Sequence, residues 1–125
     1  MAQMYNNPNL IPAGTVLNQN LNGKAMQLQN ALFYAIQLVW TGTPTGTFTL
    51  QGSCDNSATM TAAGQPYQPT NWTTIPSTSQ AISAAGSYLY NMEWAGYSFV
   101  RVVYTDGSSG ASTAVLTVST LNVKG

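Results

Sequence analysis

Phe33-Tyr34-Ala35-Ile36-Gln37-Leu38-Val39-Trp40 decides how this chain is read. Tyr34, Ile36, Leu38 and Trp40 fall on one face and Phe33, Ala35, Gln37 and Val39 on the other, which is the alternation of a β-strand. The punctuators that follow, Thr41-Gly42-Thr43-Pro44-Thr45-Gly46, read as a hairpin loop. Next comes Thr47-Phe48-Thr49-Leu50-Gln51, with Phe48 and Leu50 inward and threonines outward, a half-buried antiparallel strand. Downstream, Trp72-Thr73-Thr74-Ile75 is a short strand stopped by Pro76, and Gln80 to Ser83 is another. Ser87 to Met92 places Tyr88, Tyr90 and Met92 on one face. Tyr97 to Tyr104 is the clearest β-branched and aromatic run, and Thr113 to Val123 closes the chain with Leu116 and Val118 inward.

These signals predict an all-β protein: a single antiparallel, jelly-roll-like β-sandwich of about seven to eight strands, spanning residues 32–125. Residues 53–70 read as a long loop, with Pro66 and Pro69 excluding a central strand. Lys24 to Leu32, the one weak helical candidate, reads as extended. Residues 1–31 form a separate region, rich in Asn and Gln and carrying Pro8, Pro12 and the turn dipeptide Asn22-Gly23. It is expected to comprise an extended N-terminal arm and a first strand or two.

Composition narrows the function. The 125 residues carry three bases (Lys24, Arg101, Lys124), three acids (Asp55, Glu93, Asp106), no histidine and one cysteine, Cys54. Three scattered cations cannot neutralise a row of phosphates, so no nucleic-acid partner is expected. There is no polybasic cluster for an anionic membrane and no apolar run of the ~20 residues needed to span one. Cys54 has no partner for a disulfide or a zinc site and reads as an inert thiol. Charged residues are 5% of the chain, against roughly a quarter in an average domain. Polarity comes instead from Thr, Ser, Asn and Gln, more than a third of the residues. Such a near-neutral surface guards poorly against self-association and suits a protein that lives in an assembly. The N-terminus lacks a basic region followed by an apolar one, so no secretory signal is read and synthesis in the cytoplasm is expected.

The inventory for catalysis is thin. General acid–base work usually recruits His, which is absent, and a Ser or Cys nucleophile lacks an activating base. Each acid has a duller account: Asp106 caps the turn at Gly107, Asp55 makes an Asx-turn beside Asn56, and Glu93 is solvated or paired with Arg101. Asp55 and Asn56 are the best calcium donors, but one carboxylate makes a weak site, so neither a metal nor another cofactor is expected. Asn71-Trp72-Thr73 matches the glycosylation pattern and reads as coincidence without a signal. Trp40 and Trp72 fall in apolar strands and are assigned to the core, whereas Tyr67 and Trp94 lie in or beside loops and are better placed for a ligand. Arg101 interrupts Phe99-Val100-Arg101-Val102-Val103 and must reach the solvated face or an acid such as Glu93.

The stretch from Ala31 to Gly125 resembles small structural proteins of tailed bacteriophages and related prophages. The likeness rests on Tyr34 to Gly46, on Phe48-Thr49-Leu50-Gln51-Gly52-Ser53 with Asp55-Asn56, on Asn71-Trp72-Thr73-Thr74-Ile75, and on Tyr97 to Tyr104. The order of the Gln-Gly-Ser-x-Asp-Asn turn, the Asn-Trp-Thr strand and the Arg-containing strand is also similar to discoidin-type galactose-binding sandwiches. This chain lacks that family's opening strands, so the architecture carries over and a sugar site does not. The first resemblance implies a virion component, and together with the low charge, the Thr/Ser/Asn/Gln-rich surface, the polar N-terminal arm and the lack of a catalytic set the expectation is a non-enzymatic head-decoration or capsid-stabilising protein. Its expected partners are a capsid or other virion protein and further copies of itself. The alternative is a receptor- or glycan-binding module of a tail or fibre. Candidate contact residues are Tyr5, Leu10, Ile11, Tyr67, Trp94 and Arg101. Removing residues 1–20 is expected to weaken attachment and leave the sandwich folded.

Overall fold

Alternation along the chain builds two antiparallel sheets that face each other. The computed structural model describes residues 3–5, 11–28, 31–55, 69–93 and 97–124, with the backbone alone at 3–5, 27, 31–32 and 122–124. Eleven strands are present among them: β1 (Gln3–Tyr5), β2 (Thr15–Val16), β3 (Leu21–Asn22), β4 (Met26–Gln27), β5 (Ala31–Trp40), β6 (Gly46–Ser53), β7 (Thr73–Thr74), β8 (Gln80–Ile82), β9 (Gly86–Glu93), β10 (Phe99–Asp106) and β11 (Val115–Lys124). Five of these, β5, β6, β9, β10 and β11, run eight to ten residues and carry the body of the sandwich. No helix occurs among the described residues, so none there is long and apolar enough to cross a membrane.

The first sheet runs β1-β11-β5-β9, with β2 also on β11, and the second runs β3-β10-β6-β7, with β4 on β10 and β8 on β6. Each long strand lies in the opposite sheet to the long strand before it. The loop at 41–45 is therefore a passage between sheets and not the expected hairpin. Trp40 and Phe48 explain why: their rings meet across the core at 5.7 Å, so both must point inward from opposite layers. The passage is pinned by the Thr41 N–H donating to the Val115 carbonyl (3.0 Å) and the Gly107 N–H donating to Thr45 (2.8 Å).

Tyr34, Ile36, Leu38, Trp40, Leu116 and Val118 of the first sheet bury against Phe48, Leu50, Val100, Val102 and Tyr104 of the second. Gly46 is required where β6 meets β10, because a Cβ there would come within 2.6 Å of the Thr105 carbonyl oxygen. Within the first 31 residues four short strands are described, and each pairs with β10 or β11. Ile11, Leu17, Met26 and Leu28 join the same core.

The ends of the sandwich differ. Loops around residues 12–20, 41–45, 83–85 and 107–114 gather at one end, tied by Leu17 N–H to Ala114, the Trp40 indole N–H to the Ala84 carbonyl, and Asp106 N–H to the Asn20 side chain. There Asp106 accepts from the Ser108 N–H (2.9 Å), the Ser108 hydroxyl (2.6 Å) and the Gly110 N–H (3.0 Å), the turn-capping role read from Asp106-Gly107. At the opposite end, residues 53–55, 69–76 and 97–98 frame a cleft.

Candidate functional site

A glycine within a strand often marks a close approach by another group, and Gly52 of β6 is such a case. A Cβ at Gly52 would meet the Tyr97 ring at 3.1 Å and Ile75 at 3.5 Å, so the bare backbone lets the ring settle against the strand. Tyr97 then reaches across the sandwich: its hydroxyl and that of Tyr34 share a hydrogen bond of 2.6 Å, with the rings edge to face at 6.3 Å. Burial raises the pKa of both phenols above the ordinary tyrosine value, and the Tyr97 hydrogen bond raises that of Tyr34 further. Neither is poised to act as a base near neutrality.

Above Gly52 the cleft has a volume of about 410 Å³ and is mostly apolar in lining, with Tyr97, Ile75 and Pro76 on one side and Ser53, Asp55 and Asn71 on another. Its polar corner is built by Asp55. One carboxylate oxygen accepts from the backbone N–H groups of Thr70 (2.7 Å) and Asn71 (2.9 Å), and the other from the Asn71 side-chain amide (3.1 Å). The local Asx-turn expected beside Asn56 is thus a clamp across 15 residues of chain. The Asn71 N–H, followed by its side-chain amide, holds the carboxyl well below the usual range, at about 2. A carboxylate so occupied has little capacity left for calcium. Asn56 lies outside the described residues, and no cluster of three acids, histidines or cysteines occurs among those described.

Beside the cleft, on the outer face of the second sheet, β10 alternation turns Arg101 outward between buried Val100 and Val102. Its guanidinium lies over the Trp72 ring at 4.5 Å, and its Nε donates to the Gln51 side chain at 2.8 Å. Trp72 is therefore half-buried under a cation and is not a core residue as its strand suggested. The sequence showed an aromatic in an apolar run, and only the pairing of β6 with β7 decides which face it takes. Arg101 reaches Gln51 and Trp72, while Glu93 lies in β9 of the other sheet.

Of the six contact residues expected from sequence, Arg101 is the one the structure describes at the surface. Ile11 is 4% exposed and belongs to the core. Tyr5 lies in β1 opposite Asn122, with its side chain outside what is described. Leu10, Tyr67 and Trp94 also lie outside the described residues. Sequence reasoning counts Tyr97 among the aromatics that could stack on a ligand but prefers Tyr67 and Trp94, and it misses Asn71 as a cleft residue. The glycine at position 52, inside a strand pattern, was the available signal for Tyr97.

No family model and no curated protein matches the sequence. Among solved structures, the chain is similar to the SPBc2 prophage-derived protein YomS, with 9% identity and a TM-score of 0.61 over 99% of this chain and 96% of that one. It also aligns with PirA (13% identity, TM-score 0.48, 98% of this chain and 92% of that one). A third alignment is with the Tobacco streak virus coat protein dimer (8% identity, TM-score 0.48, 98% and 84%). The first of these shows a shared fold.

Proposed function

We propose that the chain is a non-enzymatic structural component of a bacteriophage virion and that, within the particle, it acts as a head-decoration or capsid-stabilising protein. The observation that carries this reading is the end-to-end fold likeness to a prophage-derived protein, over 99% of one chain and 96% of the other. The chemistry agrees with it. Asp55 and Asp106 are engaged by N–H donors of their own turns and clamps, and Asp55 is the one acid lining the cleft among the described residues. The mechanism is area and repetition: small neutral modules docked many times over a lattice multiply weak single contacts by avidity. The exposed loop residues Asn18, Gln19 and Ser109 at one end of the sandwich offer hydrogen-bonding groups without a desolvated charge.

Mass spectrometry of gradient-purified particles from the host that encodes the chain tests this. The protein is expected at a fixed ratio to the major capsid protein. Its absence from purified particles would sink the reading.

The cleft favours a second reading, glycan binding, because Tyr97 and Ile75 offer an apolar wall beside the polar corner of Asp55 and Asn71. Saturable binding on a glycan array, abolished by Tyr97→Ala in a variant that stays folded, would promote it over decoration.

A further inference from the structure

The two outer faces of the sandwich are chemically unlike. On the second sheet the outward positions of β6 and β10 are Thr47, Thr49 and Gln51, then Arg101, Val103 and Thr105, a mainly polar surface. On the first sheet large apolar side chains are interspersed with neutral polar ones such as Gln37, Asn91 and Ser119. Five large hydrophobic side chains stay exposed among the described residues, and all belong to it: Val16 (37%), Phe33 (42%), Val39 (42%), Leu89 (55%) and Leu121 (42%). Register brings them onto one face. Leu121 pairs with Ala35, and Gln37 sits between Ser119 and Leu89, while Tyr34, Ile36 and Leu38 turn into the core. A depression of about 220 Å³ opens among Ala35, Gln37 and Ser119, with Leu89 and Leu121 at its rim.

We infer that this face is the contact surface for a second copy of the chain, packed sheet on sheet about a two-fold axis. Charge selects the occupant. A two-fold contact sets a surface against itself, so any net charge on it repels its own image. The outward positions between Ala35 and Val39, Ser87 and Asn91, and Thr117 and Leu121 carry no charge at all. Glu93, opposite Phe33, marks the margin. Shape agrees, since Leu89, the most exposed of the five large hydrophobic side chains, lines a mainly apolar hollow.

The area fits a weak contact. Three long strands, β11, β5 and β9, ~4.8 Å apart and with seven residues of ~3.3 Å each span roughly 330 Å² of face. A pair would then bury on the order of 700 Å², the size of a transient association and not of a permanent one. The contact is accordingly a dimer that dissociates on dilution. It goes beyond the virion reading and stands apart from it, because particle association and dimer mass are read in separate experiments.

Sedimentation equilibrium on the full chain over a range of concentrations tests the inference. The unaltered chain is expected to approach twice the monomer mass. Leu89→Lys and Leu89→Glu, each alone, place like charges across the axis and should weaken the dimer at least ~tenfold. Mixing the two variants restores it, whereas Thr49→Lys on the opposite face leaves the mass unchanged. Leu89 is more than half exposed, so both variants should keep the far-UV dichroism and melting temperature of the parent. A monomer at every concentration overturns the inference. So does a dimer indifferent to both Leu89 substitutions, or one that mixing fails to restore.

Discussion

Thr78 shows how one buried hydroxyl can hold a strand edge where the ladder is interrupted. It is 4% exposed, its Oγ1 accepts from the Leu50 N–H at 3.1 Å, and it donates to the Ile75 carbonyl at 2.7 Å. Its own carbonyl accepts from the Tyr90 hydroxyl at 2.6 Å, tying the turn to the opposite sheet. Thr78→Val keeps the volume and orphans the Leu50 donor, so a loss of ~1–3 kcal/mol is expected in a urea titration. Asp55 acts through charge instead. Its folded pKa of about 2 lies below the ~3.9 of an unfolded aspartate, so the unfolded chain takes up the proton first as pH falls. Its contribution to stability is whole above about pH 5 and disappears as pH falls through about 2. Asp106 is depressed too, first by the Ser108 hydroxyl and then by its N–H, and adds to the same acid limb. Denaturation followed from pH 6 to 2 should therefore show stability falling with acid, less steeply in Asp55→Asn. Equal slopes in the two proteins would refute the clamp's electrostatic role.

Among the elements, the described residues of the early region are joined to both sheets. β1 and β2 cover the side of β11 that β5 leaves open, and β3 and β4 do the same for β10. Leu17 has no exposed surface, and its N–H donates to the Ala114 carbonyl at 2.8 Å. Leu17→Ala should cost ~2–5 kcal/mol, the range for a buried leucine whose site cannot fully collapse, read as a drop in melting temperature. Removing residues 1–20 takes away Leu17 and Ile11 together, so the truncated chain is expected to melt earlier than the full one. Particle attachment is then best tested by substitutions at exposed Asn18 and Gln19 and not by truncation.

For the whole molecule, scarcity of charge has a consequence in solution. Three cations and three anions are spread over 125 residues, and the one described cation–aromatic contact, Arg101 on Trp72, is backed by a neutral amide. Raising ionic strength from ~0.01 M to ~1 M shortens the Debye length from ~30 Å to ~3 Å, yet little long-range electrostatics is present to be screened. Unfolding and dimerisation at neutral pH should change only slightly with salt over that range. A steep dependence would point to a charged interface and against the neutral face of the first sheet.

Strand identity, the inward faces of the long strands and the all-β class were legible in the alternation of Tyr34, Ile36, Leu38 and Trp40, of Phe48 and Leu50, and of Leu116 and Val118, because burial on a pleated strand repeats every second residue. The cap at Asp106 was equally legible, since its donors lie two and four residues away. Long-range choices were not. Whether Thr41 to Gly46 closes a hairpin or crosses between sheets depends on partners some seventy residues distant, at Val115 and Gly107. Trp72 could take either face until β7 paired with β6, and Asp55 could serve its own turn until Thr70 and Asn71 arrived beside it. Local pattern sets what a segment can bury, and the assembled core decides what it is buried against.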